Sequence, residues 1–253
     1  HIAGAGNAKS LQSALQNFAD ASDAAFLQRF FKTAPGQYGE GDQFIGVRVP
    51  NIRRVAREFR PLPHHEIQKL LDSAIHEHRL CAAIILTLQF PRANADEQEA
   101  IYQLYLKNVH ARRINNWDIV DVTAEHIVGA YLDNRPRDVL FQLARDENLW
   151  ARRVAIISTF YFIRRGDATT TLQISELLLA DKHDLIHKAV GWMLREVGKR
   201  CDEKILIAFL DSHAHHMPRT TLRYAIERLS PELKSLIRDG AKTQFVGTCG
   251  GTS

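Results

Sequence analysis

Apolar residues in this chain recur at i, i+3, i+4 and i+7 from about residue 10 to about residue 240. That spacing lines one face of a helix; alternation, the mark of a half-buried strand, is missing, so an all-α chain is predicted. In SDAAFLQRFFK, Ser22 is the expected N-cap, and Phe26, Leu27 and Phe30 form the expected stripe. Pro50 suits the first turn of a helix over PNIRRVAREF. Further helices are expected at EIQKLLDSAI, HRLCAAIILTLQF, ADEQEAIYQLYLKNVH and RPRDVLFQLARD, then at LWARRVAIISTFYFIRR, TTLQISELLLA and DLIHKAVGWMLREVGKR. EKILIAFLDSHA, PRTTLRYAIERL and PELKSLIR complete the series. Separators are short except for APGQYGEGDQFIGVRVP, residues 34–50, and a long loop in a helical chain is often functional.

Related helix starts fall at Arg79, Asn116, Arg153, Lys188 and Thr221, spaced 33 to 37 residues apart with two helices in each interval. This period predicts an α-solenoid of HEAT-like helical repeats with a concave basic groove. One repeat domain is expected over residues 10–240, with residues 1–9 and 241–253 as flexible termini or vector-derived remnants. The segment NNWDIVD, residues 115–121, then stands out. Trp117 and Asp121 are four apart and share a helix face. Arg153 and Lys188 hold equivalent places in later repeats, and Trp192 lies one turn beyond Lys188 as Asp121 does beyond Trp117. Stacking in order would set Trp117, Asp121, Arg153 and Trp192 side by side.

Composition narrows the class. Of 253 residues, 45% are hydrophobic and 25% charged, which supports a core and excludes a disordered chain. The net charge is only +4, yet arginines cluster locally in RVPNIRRVAR, HARRINN and WARRVA, as a polyanion would require. Arg48, Arg53, Arg54, Arg57, Arg195, Arg219 and Arg223 recur near helix starts and could track a phosphate backbone. In WARR, adjacent residues point about 100° apart, so only one guanidinium can face a groove, and the period selects Arg153. Gly191 lets neighbouring backbone approach beside Trp192, and Tyr38 lies in the Gly-rich loop. Each has a plainer structural alternative: Trp117 and Trp192 as packing residues, Asp121 as a helix-dipole group, Tyr38 as a loop anchor.

Three cysteines at no disulfide or zinc spacing fit a reducing compartment, and the start of the chain lacks the features of a signal peptide. No apolar run reaches the roughly 18 residues of a membrane span. A cytoplasmic, bacterial-type, DNA-associated monomer is expected, without cofactor. His213, His215 and His216 in HAHH lack a Cys or carboxylate at ligand spacing, so no metal site is expected. Neither a phosphate-binding Gly loop nor a nucleophile elbow is present.

WDIVD, LWARRVAI and HKAVGWMLRE, in this order, resemble the AlkD-type DNA alkylation repair glycosylases, built of HEAT-like repeats; FIGVRVPNIRRVAREF resembles that family's segment after the first helices. The resemblance spans roughly residues 20 to 238. It implies excision of positively charged alkylated purines, such as N7-alkylguanine and N3-alkyladenine, from duplex DNA. It also implies that Asp121 lies beside the lesion's sugar, that Trp117 and Trp192 pack near its backbone, and that Arg153 is the WxRR arginine. Tyr38 is the counterpart of a loop aromatic, and Lys188, Arg195, Arg54 and Arg57 join the DNA-binding set. Some members carry an aromatic where this chain has Asn116. An open groove would offer no deep base pocket, so recognition through the DNA backbone is expected. A non-catalytic nucleic-acid-binding solenoid and a protein-interaction scaffold remain the alternatives.

Overall fold

The computed structural model describes the backbone of residues 6–249 and side chains as far as residue 242. The expected termini fall partly outside these described residues. Among the described residues no strand forms, and an isolated bridge pairs Gln43 with Ile75. Two compact units divide the chain after Tyr131.

The first unit carries α1 (Ala8–Gln16), α2 (Ala21–Phe30), α3 (Val49–Glu58), α4 (His64–Leu71), α5 (His76–Gln89), α6 (Ala95–His110) and α7 (Trp117–Ala124). The second carries α8 (Asp138–Ala144), α9 (Leu149–Ser158), α10 (Phe160–Arg164), α11 (Thr169–Leu178), α12 (Asp184–Arg200), α13 (Glu203–His213), α14 (Arg219–Ala225) and α15 (Pro231–Cys249). No helix is long and apolar enough to cross a membrane, among the described residues.

Side-chain caps fix many of the starts. Asn7 and Ser10 form a capping box on α1, which therefore begins two residues before the expected boundary. Asp20, not Ser22, caps α2 by accepting from the Asp23 N–H at 2.8 Å. Asn94, Asn148 and Asp202 cap α6, α9 and α13 in the same way. Pro50 occupies the first turn of α3, as expected. The repeat starts inferred from periodicity lie within about one turn of the true N-termini; side-chain caps from Asn116, Asn148 and His183 set the boundaries of α7, α9 and α12, whereas α5 and α14 start without one.

α5 forms the centre of the first unit: eleven of its residues are buried, against α3, α4 and α7 among others. α12 plays that part in the second, packed on α14, α13, α9 and α11. Gly191 makes the α12–α14 approach possible, since a Cβ there would lie 2.6 Å from both the Thr221 carbonyl oxygen and Tyr224 Cβ. α2 departs from expectation. It buries no residue, and Phe26 and Phe30 are 56% and 49% exposed instead of forming a core stripe.

The Gly-rich loop after α2 is tied down at several points. The Glu77 carboxylate accepts the N–H groups of Ile45, Gly46 and Val47 at 2.7–3.2 Å. Gln28 donates to the Asp42 carbonyl and accepts from the Phe44 N–H, each at 2.9 Å. Gly46, at φ +83°, passes so close to α2 that a Cβ would sit 2.0 Å from the Asp20 carbonyl oxygen.

Candidate functional site

Asn116 sets the start of α7. Its side-chain oxygen accepts the Trp117 N–H at 2.9 Å, and its φ of +79° is a left-handed conformation that costs a non-glycine residue roughly 1–3 kcal/mol. Beyond this cap, Ile119, Val120, Thr123 and Ala124 turn inward, while Trp117, Asp118, Asp121 and Val122 remain half-buried. Trp117 and Asp121 thus share the open side of α7, as their spacing predicts. A π-helical turn, Glu125–Gly129, continues the helix.

That open side borders a cavity of about 330 Å³, and both Trp117 and Asp121 line it. Phe26, Phe30, Phe31 and Phe44 supply most of its aromatic wall, and Val47, Val49, Ile52 and Leu80 are among the aliphatic residues. Phe26 stacks on Phe30 with centroids 5.7 Å apart, and Trp117 stacks on Phe31 at 5.3 Å. Phe30 meets Trp117 edge-on at 6.1 Å. The Asp121 charge is also felt by Tyr105 of α6: burial chiefly, and this carboxylate in addition, push the phenol's pKa up. An apolar cavity beside the acid is a feature that the expectation of a pocketless groove lacked.

Behind the aromatic wall runs a buried chain of charges. His76, 1% exposed, donates from Nδ1 to Asp42 at 2.6 Å and from Nε2 to Asp118 at 2.7 Å. Arg79 donates to Asp42 at 2.7 Å and to Asn115 at 2.9 Å. Burial alone would push the His76 pKa down; the two flanking carboxylates, Asp118 foremost, outweigh it and raise the value to about 9. Burial acts on Asp42 in the raising direction, but His76 and Arg79 win and hold its pKa below the usual carboxylate value. The imidazolium also lies against the faces of Phe44 and Phe31, with centroids 4.5 and 5.2 Å away. The loop, α5 and the first turn of α7 are joined through this one residue. Sequence reasoning missed it because His76 is separated from its two carboxylates by 34 and 42 residues. The local signal was limited to the acid in the first turn of α7.

Tyr38 lines a second, polar cavity of about 220 Å³ with Asp42, Arg79, Arg113, Asn115 and Asn116, next to the cap of α7. On α3, Arg53, Arg54 and Arg57 are exposed, as is Arg48 just before it. Arg48 pairs with Asp23 at 3.0 Å and Arg54 with Glu58 at 3.7 Å, both at the surface.

In the second unit, Arg153 departs from its expected role. It is 5% exposed and donates to the Leu185 carbonyl at 2.6 Å, tying α9 to the start of α12. A guanidinium so enclosed cannot clamp a phosphate without moving. Its neighbour Arg152 is half-buried, pairing with Asp181 at 2.7 Å. Lys188 pairs with Asp184 at 3.0 Å, and Arg195 with Glu227. Trp192 is half-buried and meets Phe160 edge-on at 5.8 Å. Arg219 and Arg223 are exposed. The three histidines near residue 215 contact one another in series, and Glu176 stands 3.2 Å from His213, a carboxylate neighbour that spacing did not reveal. Among the described residues no group of three or more side chains is placed to hold a metal ion.

The fold and the site together describe an all-α repeat protein carrying an acid-edged aromatic cavity and an arginine-bearing helix. Residues 11–229 match the family model described as DNA alkylation repair enzyme, and the chain belongs to that family. No curated protein matches the chain in sequence. The solved structure of a predicted DNA alkylation repair enzyme from Enterococcus faecalis is similar in fold, with a TM-score of 0.64 at 16% identity, covering 84% of this chain and 97% of the other.

Proposed function

We propose that this chain is a DNA glycosylase that releases positively charged alkylated purines, N7-alkylguanine and N3-alkyladenine, from duplex DNA. The observation that carries the reading is the placement of the Asp121 carboxylate and the Trp117 indole on one cavity wall. An alkylpurine is already cationic, so its glycosidic bond breaks without protonation of the base. The bonding pair leaves with N9 and neutralises the purine, while C1′ acquires positive charge. A carboxylate stabilises that charge and orients the attacking water; the water oxygen bonds to C1′ and its proton passes to solvent or to Asp121. The indole face adds on the order of 0.5–2 kcal/mol. Combined with Asp121, an acceleration of roughly 10²–10⁴ suits a labile cationic lesion and is far too small for a normal nucleotide.

DNA would be held by the exposed arginines of α3, Arg54 and Arg57 foremost, and by Lys188 and Arg195 in the second unit, with Tyr38 and the Trp192 indole as aromatic contacts. The test is incubation with methylated duplex followed by chromatography of free bases. Asp121→Asn should retain DNA binding and lower 7-methylguanine release at least about tenfold. Release at the wild-type rate would remove Asp121 from the chemistry.

A further inference from the structure

The polar cavity of about 220 Å³ beside the cap of α7 takes no part in the chemistry proposed for Asp121. Two side chains that line it are almost wholly buried, Arg79 at 4% and Asn116 at 1% exposure. Each keeps a donor without a partner, Arg79 Nε and Asn116 Nδ2. A buried donor left unmet is costly and points to a bound water or ion. The neighbouring acids do not supply the acceptor. Asp42 gives one oxygen to His76 and the other to Arg79 Nη2. Glu40, on the same wall, accepts the Gly36 N–H at 3.1 Å through Oε2, and no protein group meets its Oε1. Arg113 completes the lining: it donates to the Asp72 carbonyl at 3.2 Å, and no carboxylate among the described residues pairs with it. Residues 113–115 are flanked by left-handed backbone at Arg112, φ +60°, and Asn116, φ +79°, a conformation that in non-glycine residues gathers at ligand clamps. The cavity is well above the roughly 10–15 Å³ that a single water requires.

Three donors and one unmatched carboxylate oxygen therefore meet in one small space. Guanidinium and amide N–H groups suit the oxygens of an oxyanion. The carboxylate suits a proton on that oxyanion, because a bare one would set like charge against Glu40. We propose that this cavity binds a phosphate ion that keeps a proton: Arg79 Nε, Asn116 Nδ2 and the Arg113 guanidinium donate to its oxygens, and Glu40 Oε1 accepts from its hydroxyl. Such a site is independent of the glycosylase reading. Inorganic phosphate carries a proton throughout the neutral range, whereas sulfate and the phosphodiester of a DNA backbone carry none. Glu40 is then the residue that selects among these anions, since a site built to hydrogen-bond a hydroxyl rejects the analogue that lacks it.

The experiment is calorimetric titration of the full chain at pH 7 and fixed ionic strength, with inorganic phosphate and then with sulfate. Phosphate should bind one to one, and sulfate roughly 10- to 100-fold more weakly. Asn116→Asp keeps a residue that can cap α7 and tolerates left-handed backbone, but it replaces the donor by a carboxylate oxygen. It should lower phosphate affinity at least about tenfold. Glu40→Gln alters an exposed side chain, should keep the wild-type melting temperature within about 2 °C, and should bring sulfate to within about threefold of phosphate. If Asn116→Asp fails to fold, the anion preference of Glu40→Gln decides by itself. Absence of phosphate binding, by heat or by a rise in melting temperature, leaves the two donors to water and overturns the site. Equal affinities of wild type for the two anions, or wild-type discrimination by Glu40→Gln, overturn it too. Displacement of phosphate by undamaged duplex would assign the donors to a DNA backbone, which also defeats the proposal.

Discussion

Replacing His76 by Gln tests the internal electrostatics most directly. In the folded protein the imidazolium is buried between Asp42 and Asp118, and its pKa stands at about 9 against 6.5 for the free side chain. A rise of that size corresponds to roughly 3 kcal/mol of stability. Because the folded pKa is the higher one, this stabilisation is fully present below pH 6.5 and is lost as pH rises through about 9. Asp42 acts oppositely: its folded pKa is lowered, so its contribution is present above its unfolded value of 3.8 and is lost as pH falls through the folded value. Wild type should therefore be most stable between these limits, and its urea midpoint should fall by more than about 1 M between pH 6.5 and 9.5. His76→Gln leaves two carboxylates facing a neutral amide, and losing one partner of a buried ionic set costs roughly 3–5 kcal/mol. The variant should be less stable at pH 6.5 and should lack the alkaline decline. Urea titrations of both proteins across this range, followed by tryptophan fluorescence, decide the matter. A flat wild-type profile, or a variant with the wild-type slope, would refute a charged His76.

Other outcomes follow from particular contacts. Arg153→Ala should leave the salt dependence of DNA binding unchanged and destabilise the fold by about 1–3 kcal/mol, through the lost tie to the Leu185 carbonyl and the lost packing of a buried side chain; a flatter salt slope would return Arg153 to the phosphate contacts. Arg54→Ala and Arg57→Ala should each weaken binding to any duplex and reduce the log–log salt slope by about 1, checked by fluorescence polarisation at several ionic strengths. Gly191→Ala should lower the melting temperature markedly, because its Cβ would meet the backbone of α14, whereas Gly240→Ala, with open space around it, should not.

The helical class, Pro50 at the start of α3 and the shared open face of Trp117 and Asp121 were legible because each depends on local periodicity or on a single residue's backbone restriction. α2 was misread for the same reason: its apolar stripe satisfies the helical period whether it meets a core or a cavity, and only tertiary structure distinguishes the two. Arg153 shows the matching limit for charge, since an arginine that bonds a buried carbonyl carries the same letter as one that bonds phosphate. His76 with its two acids was invisible, as nothing local pairs residues so distant in the chain.

The π-helical turn that extends α7 has a consequence for how the chain tolerates change. A wide turn of this kind accommodates one residue more than regular coiling would. Deleting one residue among 125–129 would let this turn close into regular coiling while the residues on either side keep their facing, so the indole and the acid would stay outward. A deletion within Trp117–Ala124 has no such slack to absorb it and would rotate the residues before it by about 100°. The surplus residue gives this one turn a tolerance for loss that the coil before it lacks.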